Sequence, residues 1–199
     1  MKIRLAALLA VSILLSGCSS MMSPPVEGIN DNDMKGLREA LDSGDPNAKI
    51  VRGDKKIPVL IKAYAVRRPG IARALLDEGA DPFAQMEPGG GTVLHLFAET
   101  GNVDEARDLI GRAKVAARQR ARSPEEADKI VLEWLDRPFE AGYTAMHIAA
   151  MNGKTDVISL LIENGADPSL KDKRNRTAQY HLDRRAQAAT RNSFARLWW

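Results

Sequence analysis

The stretch TAMHIAAMNGKTDVISLLIENGADP, residues 144–168, carries the pattern that decides the fold. It opens on Thr144, contains Gly153, and closes on Gly165-Ala166-Asp167-Pro168. Apolar residues on both sides of Gly153 recur at the three- and four-residue spacing of an amphipathic helix. Because threonine favours a helix start and glycine a helix end, the stretch predicts two short helices joined by a tight turn.

The same pattern recurs along the chain. Its opening is repeated at 58–61 as PVLI, at 92–95 as TVLH and, more loosely, at 177–180 as TAQY. The steps between successive openings are 34, 52 and 33 residues, so two steps agree and one contains an insert. The ending is repeated at 79–82. A fixed period of this size indicates repeats that stack to share one continuous core.

These motifs resemble the ankyrin repeat, which reads Thr-Pro-Leu-His, a helix, Gly, a second helix, and Gly-Ala-Asp. The resemblance covers about residues 33–199, apart from an insert in the long step, and includes the second half of an N-terminal repeat at 37–46. It implies an all-α solenoid of helix-turn-helix units with short hairpin loops. It also places His95 and His147 in a slot where the imidazole bonds turn and backbone groups. His181 shows no paired ligand in its sequence neighbourhood.

The long step contains an insert at about 111–140, where helical spacing continues past Ile110. Ser123-Pro124-Glu125-Glu126 then indicates a new helix, with Ser as N-cap, Pro at the first position and Glu three residues after the cap. We therefore predict a helical hairpin that projects from the solenoid, with Trp134 anchored in its core. The hairpin is basic, either as a solvated helix face or as a docking element for an acidic partner or anionic lipid headgroups. Its basic residues are Arg112, Lys114, Arg118, Arg120 and Arg122.

The N-terminus has the features of a bacterial export signal. Lys2 and Arg4 precede an apolar run, 5–15, that is much shorter than the roughly 20 residues a transmembrane helix needs, and it fits the h-region of a secretory signal. Leu15-Ser16-Gly17-Cys18 follows and resembles the lipobox, in which the cysteine becomes the lipidated first residue of the mature chain. The alternatives are a plain signal peptide or a buried thiol at Cys18.

The lipobox resemblance implies a signal peptide at 1–17. Residues 18–32 lack helical periodicity and predict a tether, and the ankyrin-like domain follows at 33–199. Acyl chains on Cys18 would anchor the chain stably. Ser19 is not the Asp that is associated with retention in the inner membrane. We therefore expect a lipid-anchored protein in the bacterial envelope, on the periplasmic face of the outer membrane.

Composition bounds the classes of partner. The formal net charge is +3 and the isoelectric point is about 9.1, values that at first suggest a nucleic-acid binder. Removal of residues 1–17 lowers the net charge to +1, and residues 171–199 alone carry +6. Since the rest of the mature chain is acidic, the basic isoelectric point does not indicate nucleic-acid binding.

Motifs for catalysis, metal binding or cofactor binding are not recognisable. One cysteine excludes an internal disulfide and a cysteine-cluster zinc site, and the three histidines are scattered. Pro88-Gly89-Gly90-Gly91 lacks the Lys-Ser/Thr pair of a phosphate-binding loop and indicates a flexible turn. We predict a chain that is not an enzyme and takes no cofactor or metal.

Ankyrin proteins usually bind partners through hairpin loops and the exposed ends of the first helices. Carried over by position, this implies a binding surface that includes apolar side chains, which are either exposed anchors or packed on neighbouring repeats. Trp198-Trp199 either caps the solenoid or contacts a membrane interface. The candidate contacts are Val66, Phe83, Met86, Glu99, Thr100, Phe139, Met151, Asn152, Arg184 and Arg185.

The sequence thus predicts a non-catalytic periplasmic lipoprotein that binds another protein, as an envelope adaptor. The alternative comes from architecture: lipid-anchored periplasmic repeat proteins, ankyrin-like ones included, serve as immunity proteins. Such proteins neutralise secreted toxic effectors, for example type VI phospholipases, by occluding an active site. No motif identifies the partner.

Overall fold

The computed structural model describes the backbone of residues 31–197 and the side chains of residues 35–188. The described part of the chain divides into two compact units, with the boundary between residues 88 and 89. Cys18, the predicted signal peptide, most of the predicted tether and the Trp198-Trp199 pair lie outside or at the edge of what is described. Within the described part, every helix is too short or too polar to cross a bilayer.

The first unit contains helices and a small β-ribbon. Helix α1 begins two residues before the predicted domain start at 33, so it takes in the last two residues of the predicted tether. The ribbon is an addition to the expected hairpin loops: ten residues at 49–58 form two antiparallel strands with a two-residue turn. The elements are α1 (Asp31–Asp42), β1 (Lys49–Arg52), β2 (Lys55–Pro58), α2 (Val59–Ala65) and α3 (Pro69–Asp77).

The core of the first unit is aliphatic and centres on α2, whose first six residues are buried. Leu37 and Leu41, one turn apart on α1, are buried as well. The repeat register is fixed by Asn47, whose Oδ1 accepts the backbone N–H of Asp81 at 2.7 Å and whose Nδ2 donates to the carbonyl of Gly79 at 3.2 Å. A buried helical face and this loop bond together hold the strands and helices in one unit.

The second unit holds two layers of helices. The inner layer is α4, α7 and α9, in which α4 packs on α7 and α7 packs on α9. In the outer layer α5 packs on α6 and also contacts α8. This arrangement confirms the predicted helical, ankyrin-type fold class. The elements are α4 (Val93–Thr100), α5 (Val103–Arg120), α6 (Pro124–Leu135), a 3-10 turn (Glu140–Gly142), α7 (Ala145–Asn152), α8 (Thr155–Glu163) and α9 (Ala178–Leu197).

The insert forms the predicted helical hairpin. Helix α5 has 18 residues and its counterpart α8 has nine, so α5 extends about 13 Å further at 1.5 Å per residue. The predicted start of α6 is confirmed: the Ser123 Oγ accepts the backbone N–H of Glu126 at 3.2 Å. Trp134 is 2% exposed, which confirms its role as the anchor of the hairpin core.

The base of the hairpin is tied to the next repeat, and only its far end projects. The Lys114 ammonium donates to the side-chain oxygen of Asn164 at 2.7 Å, and the Asp136 carboxylate accepts the backbone N–H of Asp167 at 3.0 Å. The prediction of a projecting hairpin therefore applies to the half beyond Lys114.

Candidate protein-interaction surface

The first helix of each complete repeat in the second unit starts with a reciprocal bond between a threonine and a histidine. At the start of α7, the Nδ1 of His147 accepts the backbone N–H of Thr144 at 3.3 Å, and the threonine side chain faces the histidine's backbone N–H. Because Nδ1 accepts, the proton of the neutral ring lies on Nε2, which donates to the carbonyl of Arg176 at 3.0 Å. Both ring nitrogens are therefore engaged within the fold.

His95 repeats the threonine half of this arrangement at the start of α4, whereas its buried Nε2 makes no hydrogen bond to the described residues. Its Nδ1 accepts the backbone N–H of Thr92 at 3.2 Å. Burial lowers the pKa of His95 from 6.5 to about 4, against the opposing effect of the carbonyls of Tyr143 and Arg137. Burial is likewise the main cause that lowers the pKa of His147. Both rings are neutral near pH 7 and stabilise turns, as the sequence predicted.

A buried polar cluster that sequence reasoning missed closes the last loop of the second unit. The Asp172 carboxylate accepts from the Arg176 guanidinium at 2.9 and 2.7 Å and lies 3.1 Å from Nε2 of His181. Sequence reasoning named no partner for His181, and the structure supplies a hydrogen-bond partner, Asp172, nine residues earlier in the chain. The sequence feature that could have indicated this cluster is the four-residue spacing of the oppositely charged Asp172 and Arg176.

This cluster has the properties of a structural device. The hydrogen bonds from Arg176, Arg174 and His181 together outweigh burial and hold the pKa of Asp172 well below its usual range. The ring of Tyr143 lies 5.8 Å from that of His181, edge to face. Among the described residues, no group of three or more His, Cys, Asp or Glu side chains is placed to hold a metal ion.

The structure places the helix-end candidates of the second unit along one row, because α4, α7 and α9 are neighbours. Glu99 and Thr100 are exposed at the end of α4, and Met151 and Asn152 are half-buried at the end of α7. Arg184 and Arg185 are exposed on α9, but the prediction that they end a helix is wrong, because α9 continues to Leu197. Six predicted contacts of the second unit therefore share one surface, acidic at Glu99 and basic at the arginines.

The row is held in place by contacts between adjacent helices. The Arg185 guanidinium donates to the carbonyl of Met151 at 3.1 Å, at the end of α7 where the helix dipole favours a cation. A Cβ at Gly153 would lie 2.5 Å from the Nε of Arg185, so the left-handed glycine also gives the guanidinium room. Arg185 thus positions the row and remains exposed for a partner.

The loop candidates are only partly available. Phe139 is half-buried, with its ring 5.6 Å from that of His95. In the first unit Phe83 and Met86 are half-buried too. Val66 is 3% exposed and its prediction as a contact is wrong. Helix α2 ends at Ala65, and Val66 at its C-cap turns into the core.

Tyr180 is a candidate that sequence reasoning assigned to the histidine slot. The structure leaves it 44% exposed on α9, with the Arg176 guanidinium 5.6 Å from its ring centre. Tyrosine and arginine are the residues most enriched among strong contacts at protein interfaces. The sequence feature that could have identified Tyr180 as a contact residue is an aromatic side chain in the first turn of α9.

The basic hairpin is partly neutralised. Arg112 pairs with Asp108 at 3.2 Å on the same helix, and Lys114 bonds Asn164. Arg118 and Arg122 are exposed at the far end and line an open cavity of about 340 Å³ together with Asp128. The far end thus mixes both signs of charge.

Comparisons with known proteins agree with this geometry. A family model described as ankyrin repeats, in three copies, matches residues 62–172. A human tRNA endonuclease, ANKZF1, is 41% identical over 75 residues, or 37% of this chain and 10% of its own length. The Hydra vulgaris tyrosine-protein kinase HTK16 is 28% identical over 134 residues, or 66% of this chain and 15% of its own. The chain therefore spans a small part of these two relatives.

A chain in the crystal structure of the yeast ribosomal protein Rps3 in complex with its chaperone Yar1 is similar in fold. The TM-score is 0.54 at 21% identity, over 69% of this chain and 89% of that one. This likeness supports the fold alone. The family match covers more than half of the sequence, and together with the threonine–histidine boxes and left-handed glycines it shows that the chain belongs to the ankyrin-repeat family.

Proposed function

We propose that the protein is a non-catalytic module that binds another protein through the row formed by the ends of α4 and α7 and the first two turns of α9. The observation that carries the proposal is the convergence of Glu99, Met151 and Arg184 on one surface of the second unit. Ankyrin repeats are interaction scaffolds, and the rings of His95 and His147 bond to backbone groups at turns. The function follows from surface chemistry, with no catalytic step.

The charge and aromatic content of the row indicate the kind of partner. Arg184 and Arg185 are exposed cations on α9, and Tyr180 offers an amphipathic ring on the same helix. Buried aromatic and arginine side chains supply most of the binding energy at typical interfaces, and peripheral charges govern the association rate. We expect an acidic patch on the partner to meet α9 and a basic or neutral one to meet Glu99.

The proposal includes a lipid anchor. The sequence Leu15-Ser16-Gly17-Cys18 supports acylation at Cys18 and location on the periplasmic face of the outer membrane. The anchored chain would present its repeats to periplasmic proteins. Cys18→Ala is expected to move the protein from the pelleted membrane fraction to the soluble fraction, and retention in the membrane fraction would contradict the anchor.

The interaction role is tested by photocrosslinking in living cells. A benzoylphenylalanine residue replaces Met151 or Tyr180 in the full chain, with Lys129 as the control because its side chain is 74% exposed on α6, outside the row. We expect discrete adducts with one envelope protein from positions 151 and 180 and none from 129. Equal adducts from all three positions, or none from 151 and 180, would refute the proposed surface.

The identity of the crosslinked protein separates the two roles that the sequence left open. A resident envelope protein supports an adaptor. A secreted toxic effector supports the immunity role, and deletion should then sensitise cells to sister cells that deliver the toxin. Normal survival in that competition would contradict the immunity role and leave the adaptor role standing.

A further inference from the structure

The β-ribbon of the first unit has one closed edge and one open edge. Its register pairs Ile50 with Ile57, Val51 with Lys56 and Arg52 with Lys55. In an antiparallel pair, only alternate residues exchange hydrogen bonds with the partner strand, and the others point their N–H and C=O outward. The two-residue turn makes Arg52 and Lys55 a hydrogen-bonded pair, so Val51 and Lys56 point outward.

Contacts outside the ribbon confirm this assignment. The outward N–H of Lys56 donates to the carbonyl of Glu87 at 2.7 Å, and the N–H of Glu87 donates back at 3.0 Å. Pro58, further along β2, has no N–H to offer. The β2 edge is therefore satisfied. On β1, no backbone group among the described residues bonds to the outward N–H or C=O of Val51.

The side chains beside the open edge are basic and accessible. Val51 is 67% exposed, and the next most exposed large apolar side chain among the described residues, Val115, is 53% exposed. Lys49 and Lys56 both contact Glu87, at 2.6 and 3.6 Å, so one carboxylate serves two ammonium groups. Arg52 and Lys55 add two further positive charges, and Asp54 in the turn adds one negative charge. The ribbon thus keeps an excess of positive charge.

We propose that the open edge of β1 is a strand-addition site for an extended, acidic segment of a partner protein. The segment would pair with the outward backbone groups of Val51 and Lys49, and its carboxylates would meet the cations of the ribbon. Main-chain pairing supplies affinity in this mode and side-chain charge supplies selectivity. The proposal deepens the proposed interaction role and rests on it.

The charge of the ribbon argues against a second copy of this chain as the occupant. Antiparallel pairing of β1 with another β1 would bring two copies of the same basic ribbon side by side, and like charges that approach across adjacent strands are destabilising. Lysine on an edge strand is also a common device against self-pairing. An acidic strand satisfies the same backbone groups without that repulsion.

The test measures binding of a fluorescein-labelled peptide of alternating Glu and Val to the purified full chain carrying Cys18→Ala. A peptide of the same sequence with N-methylated alternate amides, and one with Lys in place of Glu, serve as probe controls. We expect binding of the first peptide only. If the N-methylated peptide bound equally well, charge attraction alone would account for binding, and strand addition would be refuted.

Two variants locate the site. Val51→Pro removes an outward N–H that makes no hydrogen bond to β2, and should weaken binding about tenfold, the equivalent of one to two hydrogen bonds. Lys55→Glu should weaken binding as well and reduce its salt dependence, because it removes an attractive charge contact. The control is Lys35→Glu on α1, whose side chain is 72% exposed. Unchanged binding by Val51→Pro, with an unchanged circular dichroism melt, would refute the proposal.

A second readout keeps this result separate from the proposed function. The crosslinks from positions 151 and 180 are repeated in the Val51→Pro background. Loss of peptide binding with crosslinks retained supports a strand-addition site that acts independently of the helix-end row. Crosslinks without any peptide binding by the parent chain would refute the strand-addition site alone.

Discussion

Trp134→Ala tests whether the helical insert is an integral part of the second unit. Trp134 is 2% exposed in α6, and a tryptophan side chain buries about 150–250 Å². At about 25 cal/mol per Å², that area corresponds to about 4–6 kcal/mol as an upper bound. Alanine retains part of it, and large-to-small core changes of this kind cost about 3–5 kcal/mol. We expect a loss of that size in the free energy of unfolding.

The assay is urea unfolding of the purified chain followed by circular dichroism at the helical band. The matched control is Lys129→Ala on the same helix, whose side chain is 74% exposed and pairs only weakly with Glu133 at 3.8 Å. That change should stay within about 0.5 kcal/mol. A loss below about 1 kcal/mol for Trp134→Ala would show that the hairpin is an appendage whose unfolding leaves the repeats intact. The reasoning from burial would then be refuted.

Two further predictions concern the turns. Gly153→Ala should lower the unfolding free energy by about 1–2 kcal/mol, because Gly153 has φ +67° and a Cβ would approach Arg185. The control, Gly111→Ala, lies in open space within α5 and should be neutral or slightly stabilising in the same urea assay. An equal effect of the two substitutions on the unfolding free energy would contradict the conformational argument. Burial lowers the pKa of His95 from 6.5 to about 4, so the unfolded chain binds more protons in this window and stability should fall as pH drops from 6.5 to 4. Urea midpoints at pH 7 and pH 5 check this, and His95→Asn should narrow the difference between them; a midpoint independent of pH would contradict the predicted shift.

The repeats were predictable from sequence because each depends on a few residues with strong local preferences. Thr92 and Thr144 start helices, and Gly153 ends one in the left-handed conformation. These signals are short-range and recur at a fixed step, so they support one another. Ser123 was equally readable, since an N-cap, a proline and a glutamate occur within four residues.

The features that escaped prediction depend on longer-range contacts or on weak local preferences. The ribbon at 49–58 is rich in lysine, which has low strand propensity, and only the Gly53-Asp54 pair between two β-branched segments indicated a hairpin. His181 meets Asp172 only because the last loop folds back on α9. Val66 was predicted to be an exposed residue at the end of α2, but α2 ends at Ala65, one residue before it. That boundary decides whether the Val66 side chain faces solvent or core.

The insert leaves the repeat register unchanged, and the reason lies in two equivalent bonds. In the first unit, the Asn47 side chain accepts the backbone N–H of Asp81, 34 residues later. In the second unit, the Asp136 side chain accepts the backbone N–H of Asp167, 31 residues later. Asp136 directly follows α6, the returning helix of the hairpin. Its carboxylate therefore makes the bond that the Asn47 side chain makes in a repeat without an insert. The long step of 52 residues is therefore one ordinary repeat with a hairpin inserted before its closing bond, and the projecting end of that hairpin is able to vary in sequence without disturbing the bond.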